Sequence, residues 1–209
     1  MEEVKRKSKV VCTYLGILLL MCVASFNIYS HFQNIKQKDN EQELVEEFIN
    51  KEENIEPVIE EEIPVIEAKP VEEINYIMVL EIPKISLKKG LCDINEYCNR
   101  VSKNIQILSE SNMPDIRNGN LMLAGHNGSS SVSFFNKLDR LNTGDSIFVY
   151  YNNLKYEYKL NNSYEVEKTG EVLVERDKYK NTITLITCKK NSKDKQVVYV
   201  AYLDNVSNY

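Results

Sequence analysis

Tryptophan is absent from this 209-residue chain, histidine occurs twice, and glycine and proline are scarce at seven and five residues. With so few glycines and prolines, turns have to be made by Asn and Asp, and Asn-Asn and Asn-Gly steps recur after residue 75. Two histidines, with no C-x-x-C spacing among the five cysteines, argue against a zinc site. Positive charge is not in excess either. The formal net charge is −5, which argues against wholesale nucleic-acid binding. What the chain does have is 13 Tyr. With Ile, Val and Leu these dominate its second half, a composition that suits strands.

The N-terminal region is of another kind. Lys-Arg-Lys-Ser-Lys occupies 5–9, and Val10 to Ile28 follows without a charge. That run approaches the roughly 20 residues a helix needs to cross a bilayer core. Positive charge ahead of it predicts an N-terminus left in the cytoplasm and the rest of the chain outside. We therefore expect a cytoplasmic tail over 1–9 and a single-pass signal anchor in the cell membrane over 10–30. A cleaved signal peptide is the competing reading, but it needs a shorter apolar run and a small-x-small site, which Ala24-Ser25-Phe26 does not make. An acidic extracytoplasmic linker is expected over 31–75. Glu41 to Glu53 carries Leu44, Val45, Phe48 and Ile49 at helical spacing. Beyond it, acids, β-branched residues and Pro57, Pro64 and Pro70 predict an extended stalk.

From 76 to 209 the pattern is that of an all-β domain. Short β-branched and aromatic runs predict strands near 77–82, 85–91, 105–109, 120–125, 145–151, 154–166, 182–187 and 196–203. Asn152-Asn153 reads as a two-residue hairpin, and Asn161-Asn162 as a bulge or bend. Two short helices are expected. One runs from Asp93 to Lys103 with Asp93 as its cap, the other from Ser133 to Leu141 with Phe134, Leu138 and Leu141 on one face. Many short strands with little helix imply a barrel or sandwich. Cys92 and Cys98 lie six apart. Outside the cytoplasm they can pair, and the alternative is two unpaired thiols.

Two residues at strand ends could do chemistry. Cys188 closes Thr182-Ile183-Thr184-Leu185-Ile186-Thr187 and opens into a loop rich in lysine. Positive charge beside a thiol favours the thiolate, the nucleophilic form, whereas a lone cysteine is more commonly a buried structural one. His126 closes Leu121-Met122-Leu123-Ala124-Gly125, where Gly125 permits a close backbone approach or an unusual dihedral. The other histidine, His31, sits beside the apolar span. If the domain uses a Cys–His pair, His126 is its only candidate.

Together, Leu-Ala-Gly-His-Asn at 123–127 and Thr-Leu-Ile-Thr-Cys at 184–188 resemble the histidine and cysteine signatures of sortases, cysteine transpeptidases of Gram-positive bacteria. Ile82-Pro83-Lys84-Ile85, Asn120 and the segment from Phe134 to Asp145 fit in the same order, so the resemblance covers about 77–203. It implies a closed eight-stranded sortase-type β-barrel with short helices. It also implies cleavage of an LPXTG-like sorting signal on surface proteins, with transfer of the acyl group to an amine on a cell-wall precursor or pilin. Cys188 would attack the carbonyl. His126 would protonate the departing amine and later take a proton from the attacking one. Thr187 falls on the family threonine near the site. No cofactor is implied. Calcium binds acids in some sortases, and Glu167, Glu171, Glu175 and Asp177 are available for it, although a solvated acidic loop is the plainer reading. The short segment before the cysteine strand points to a class A- or D-like member.

The match breaks at one place. The family arginine on the strand after the cysteine falls on Gln196, and no Arg occurs after Arg176. Lys195 is an alternative carrier of charge, without the arginine fork. A catalytically weak or inactive sortase-like module that binds peptide is therefore the rival to a working enzyme. Arg100, Arg117, Arg140 and Arg176 read as solvated surface charges, with Arg140 the least remote substitute.

Overall fold

A computed structural model describes Ser25, Val45, Glu46, Phe48, Ile49 and residues 74–209. The chain divides into two units, Met1–Gln42 and Glu43–Tyr209. In the first, Ser25 is described and is helical. The expected membrane anchor and the Pro-containing stalk lie outside the described residues.

The second unit is built on eight strands: β1 Tyr76–Ile82, β2 Leu87–Cys92, β3 Gln106–Ile107, β4 Asn120–Gly125, β5 Ser146–Tyr151, β6 Leu154–Glu167, β7 Thr182–Cys188 and β8 Lys195–Asn208. They form one sheet in the order β2-β1-β5-β6-β8-β7-β4-β3, curled into a nearly closed barrel. Each inward phase is apolar. Met78, Leu80 and Ile82, Leu121 and Leu123, and Ile183 and Leu185 alternate along their strands and meet in one core. Burying each such side chain contributes about 1.5–3 kcal/mol. The hairpin between β5 and β6 turns on Asn152 and Asn153, both at positive φ (51° and 60°), as a type I′ turn requires. The register of β6 against β8 slips between Leu160 and Asn162, so the expected bulge falls at Asn161.

The seam between the outer strands β2 and β3 is closed by the loop that joins them. Cys98 forms a disulfide with Cys92 at the end of β2. The Asn104 side chain donates to the Gly90 carbonyl on β2 (2.9 Å). The Asn99 amide group both donates to the Ile107 carbonyl (3.0 Å) and accepts from the Ile107 N–H (2.7 Å). The helix expected over Asp93–Lys103 is absent and a series of turns stands in its place. Asp93 does accept a capping bond from the Asn95 N–H. The disulfide and the two asparagines then draw the chain back to the strands before a second helical turn can form. The other expected helix is also corrected. Over Ser133–Leu141 only Leu138–Arg140 is helical, as a 3₁₀ turn. The buried apolar side chains there are Phe135, Leu138 and Leu141, a spacing of three that matches the 3₁₀ period. Phe134 is only half-buried and lies under the Lys89 ammonium at 4.5 Å.

On the outside of β1 and β5, Val79 and Tyr150 are covered by Val45, with Phe48, Ile49 and Tyr209 packed around them. Val45, Glu46, Phe48 and Ile49 are helical, in keeping with the amphipathic spacing of Glu41–Glu53, of which Leu44 lies outside the described residues.

Candidate active site

Six of the seven strand pairings are antiparallel, and β4 with β7 is the parallel one. The exception is what builds the site. Parallel neighbours end on the same side, and the β4–β7 register closes with Ala124 opposite Ile186 and Gly125 opposite Thr187. His126 and Cys188 are the next residues on the two strands. At the step before them the backbones stand one strand spacing apart, about 4.8 Å. Alternation directs both side chains outward, the phase shared by Met122 and Ala124 on β4 and by Ile186 on β7. The two chains are also tied where they leave the sheet. The Asn127 side chain donates to the Cys188 carbonyl (2.9 Å), and the Thr187 hydroxyl donates to the Gly125 carbonyl (2.8 Å).

Gly125 serves through close approach rather than through an unusual dihedral. A Cβ placed there would lie 2.6 Å from the Phe135 ring. Phe135 is fully buried, and its N–H bonds the His126 carbonyl (3.0 Å). The missing side chain thus lets the ring sit under the histidine and fix the turn that carries it. His126 itself is exposed and Cys188 is a half-buried free thiol.

The remaining predicted residues divide. Gln196 pairs directly with Cys188 across β7 and β8, a placement that sets Cβ atoms about 4.5–5.5 Å apart. Lys195 aims its ammonium at Glu165 (3.8 Å) and Glu167 (4.0 Å) on β6, and so is engaged away from the thiol. Thr187 is buried with its hydroxyl used on β4, which makes it a positioning residue rather than a substrate contact. Arg140 is exposed and lines the same cavity as Cys188. Arg176 is not a solvated charge. It is half-buried, and its guanidinium donates to the carbonyls of Asn118, Asp177 and Lys180 (3.2–3.4 Å). The acids of 167–177 are dispersed. Glu167 faces Lys195, while Asp177 bonds the Tyr179 N–H and lies 3.8 Å from the Lys180 ammonium. Among the described residues no three His, Cys, Asp or Glu side chains gather to hold a metal ion.

Two cavities flank the Cys188–Gln196 pair. One, of about 710 Å³, has Met122, Ala124 and Ile186 along its strands and Val172 and Val174 from the β6–β7 segment, with Glu110, Lys168, Glu171 and Gln196 also in its lining. The segment contributing those valines is held in place by side chains. The Tyr164 hydroxyl accepts from the Glu175 N–H (2.7 Å), and the Tyr202 hydroxyl accepts from the Asp177 N–H (2.9 Å). The second cavity, of about 810 Å³, opens on Cys188 between the turn after His126 and the β7–β8 loop. Sequence reasoning missed the first cavity with its apolar floor, although a signal existed. On both β4 and β7 the phase opposite the core is itself apolar at Met122, Ala124 and Ile186, more than a solvated face requires.

Residues 80–204 match the family description "Sortase domain". The chain belongs to the sortase family. It is 35% identical over 117 residues to sortase A of Bacillus anthracis, a match that spans 54% of each chain, so about half the length of that curated relative. The fold is similar to that of sortase A from Listeria monocytogenes (TM-score 0.54, 24% identity, 64% of this chain and 90% of that one). It is likewise similar to a sortase D5 transpeptidase from Clostridium perfringens (TM-score 0.52, 25% identity, 65% and 84%).

Proposed function

We propose that this protein is a working cysteine transpeptidase that cleaves an LPXTG-like sorting signal on surface proteins and joins the acyl product to a cell-wall or pilin amine. The observation that carries the reading is the parallel β4–β7 register, from which His126 and Cys188 emerge side by side. The Cys188 thiolate attacks the scissile carbonyl and His126 donates a proton to the departing amine, leaving a thioester. An incoming amine then attacks that carbonyl, His126 takes its proton, and the thiolate leaves. The cavity of Met122, Ala124, Ile186, Val172 and Val174 offers the apolar side chains of such a signal a surface beside the thiol. Side chains carry the whole reaction, with no cofactor. Gln196, in the arginine position, supplies a neutral hydrogen-bond donor toward the developing oxyanion.

We place the catalytic domain outside the cytoplasm, held by the N-terminal span in the membrane. The Cys92–Cys98 disulfide supports this, because such bonds persist in oxidising compartments. The similarity to a sortase A and a sortase D5 supports a class A- or D-like member.

Gln196 motivates a second reading, in which the barrel binds sorting peptides without turning them over. One assay separates the two. With a panel of LPXTG-like peptides, wild type is expected to release the C-terminal fragment while Cys188→Ala and His126→Ala release none. Equal peptide binding by wild type and Cys188→Ala, with no cleavage by either, would establish the binding module instead.

A further inference from the structure

A second apolar cluster lies outside the barrel, on β1 and β5. Val79 belongs to the phase of β1 that turns away from the core, yet it is fully buried. It pairs with Tyr150 on β5, whose hydroxyl donates to Glu81 on β1 (2.6 Å). Left bare, Tyr76, Val79, Phe148, Tyr150 and Tyr209 would form an exposed apolar patch of the kind that marks a docking surface. The helical stretch bearing Val45, Phe48 and Ile49 covers it, with Val45 3% exposed. A helix as short as Glu41–Glu53 is marginal alone in water, so its stability is drawn from this packing. The place of the patch in the sheet matters as well. In the strand order β1 stands four places from β7, and β5 four places from β4. Four places are half the circumference of an eight-stranded barrel. The docked helix therefore lies on the wall opposite the strands that lead to His126 and Cys188.

We propose that this helix is the attachment point of the catalytic domain, holding the barrel to the N-terminal segment by packing, so that the covalent connection over 50–73 can be cut without freeing the domain. The inference rests on the membrane-anchor reading above for what holds the N-terminal segment, and on the Val45 cluster alone for the docking. Ile49 and Ile74 are joined by the 24 residues 50–73. The cost of closing a segment grows only with the logarithm of its length, so one of that size is closed readily. Docking at Val45 also leaves 31–44 as the tether in place of 31–75, which cuts its greatest reach to about a third. Shedding of the enzyme then takes two events, cleavage within 50–73 and loss of the packing on β1 and β5. Either one alone leaves the barrel attached, with its catalytic wall free on the far side.

The test uses the full chain with a site-specific protease sequence inserted after Pro64, reconstituted in vesicles of phosphatidylcholine and phosphatidylglycerol. After complete cutting, flotation is expected to carry the barrel fragment with the vesicles. Retention should be at least about tenfold greater than for Val45→Asp/Phe48→Asp, which exposes two apolar side chains less well matched to the wall. An excess of synthetic peptide Glu41–Glu53 should release the cut wild-type barrel, a readout that needs no substitution. Release of the wild-type barrel on cutting alone overturns the proposal, and so does retention that neither the substitutions nor the peptide reduces. If the uncut chain does not float, the anchor reading has failed, and size-exclusion chromatography of the cut chain reads the docking by itself. Co-elution of the two fragments that Val45→Asp/Phe48→Asp abolishes then supports the docking, and their separation in the wild type overturns it.

Discussion

At the scale of single residues, Gln196 and Gly125 show how much the site depends on what a side chain omits. Gly125 leaves room for the Phe135 ring, and that ring holds the turn bearing His126. Gln196 stands across from Cys188 and can donate a hydrogen bond to a developing oxyanion, but it lacks the charge of the family arginine. Loss of one oxyanion donor typically costs about 10²–10³ in rate. Restoring the charge with Gln196→Arg is therefore expected to raise kcat for peptide cleavage by at least about tenfold, at unchanged folding stability. A kcat unchanged or lowered by that substitution, with the fold intact, would mean that the glutamine is the residue this site requires. A smaller expectation concerns Glu165. Lys189 beside it holds its carboxyl below the usual carboxylate range. The ion pair that anchors the β7–β8 loop is then complete above the ordinary glutamate pKa and is lost as pH falls through the lowered one.

At the scale of elements, the barrel is held shut where hydrogen-bonded pairing stops. β2 and β3 end the sheet order, and the loop between them closes the gap through the Cys92–Cys98 bond and the side chains of Asn99 and Asn104. A cross-link closing so short a loop contributes about 2 kcal/mol in the chain-entropy account. Cys92→Ser/Cys98→Ser is accordingly expected to lose about 2 kcal/mol of unfolding free energy, read by chemical denaturation as a lower midpoint. An unchanged midpoint would show that the asparagines alone keep the seam.

The same elements mark what could be read from the sequence. Strand β4 matched its expected 120–125 because its alternation is sharp and glycine and histidine stop it. The β5–β6 hairpin was legible because Asn-Asn tolerates positive φ. Strand β8 runs to Asn208, well past its expected end at 203, because the polar tail Asp204–Asn208 carries no apolar period and is fixed only by pairing with Leu154–Glu157 of β6. The two expected helices failed for another reason. Local periodicity cannot foresee a disulfide, asparagine side chains reaching distant strands, or a ring filling the space above a glycine. The cysteine and histidine of the site were readable as strand-end residues. The cavities beside them were not, since they arise from segments brought together only by the fold.

At the scale of the whole molecule, the Cys188–Gln196 pair lies between two cavities, in a domain that we place outside the cell on an N-terminal anchor. Expressed in full in a Gram-positive host, the chain is expected to remain with membranes through alkaline carbonate washing, and residues 76–209 should be digested by protease added outside. Release by carbonate, or protection from external protease, would contradict the topology.

The central claim is that Cys188 carries the acyl group. Wild-type protein mixed with an LPXTG-like peptide, quenched in acid and mapped by mass spectrometry should show a thioester on Cys188 whose added mass equals the peptide through its threonine, with loss of water, and the adduct should disappear when an amine is supplied. Persistent absence of that adduct across a panel of sorting peptides, with the protein folded, would contradict the account.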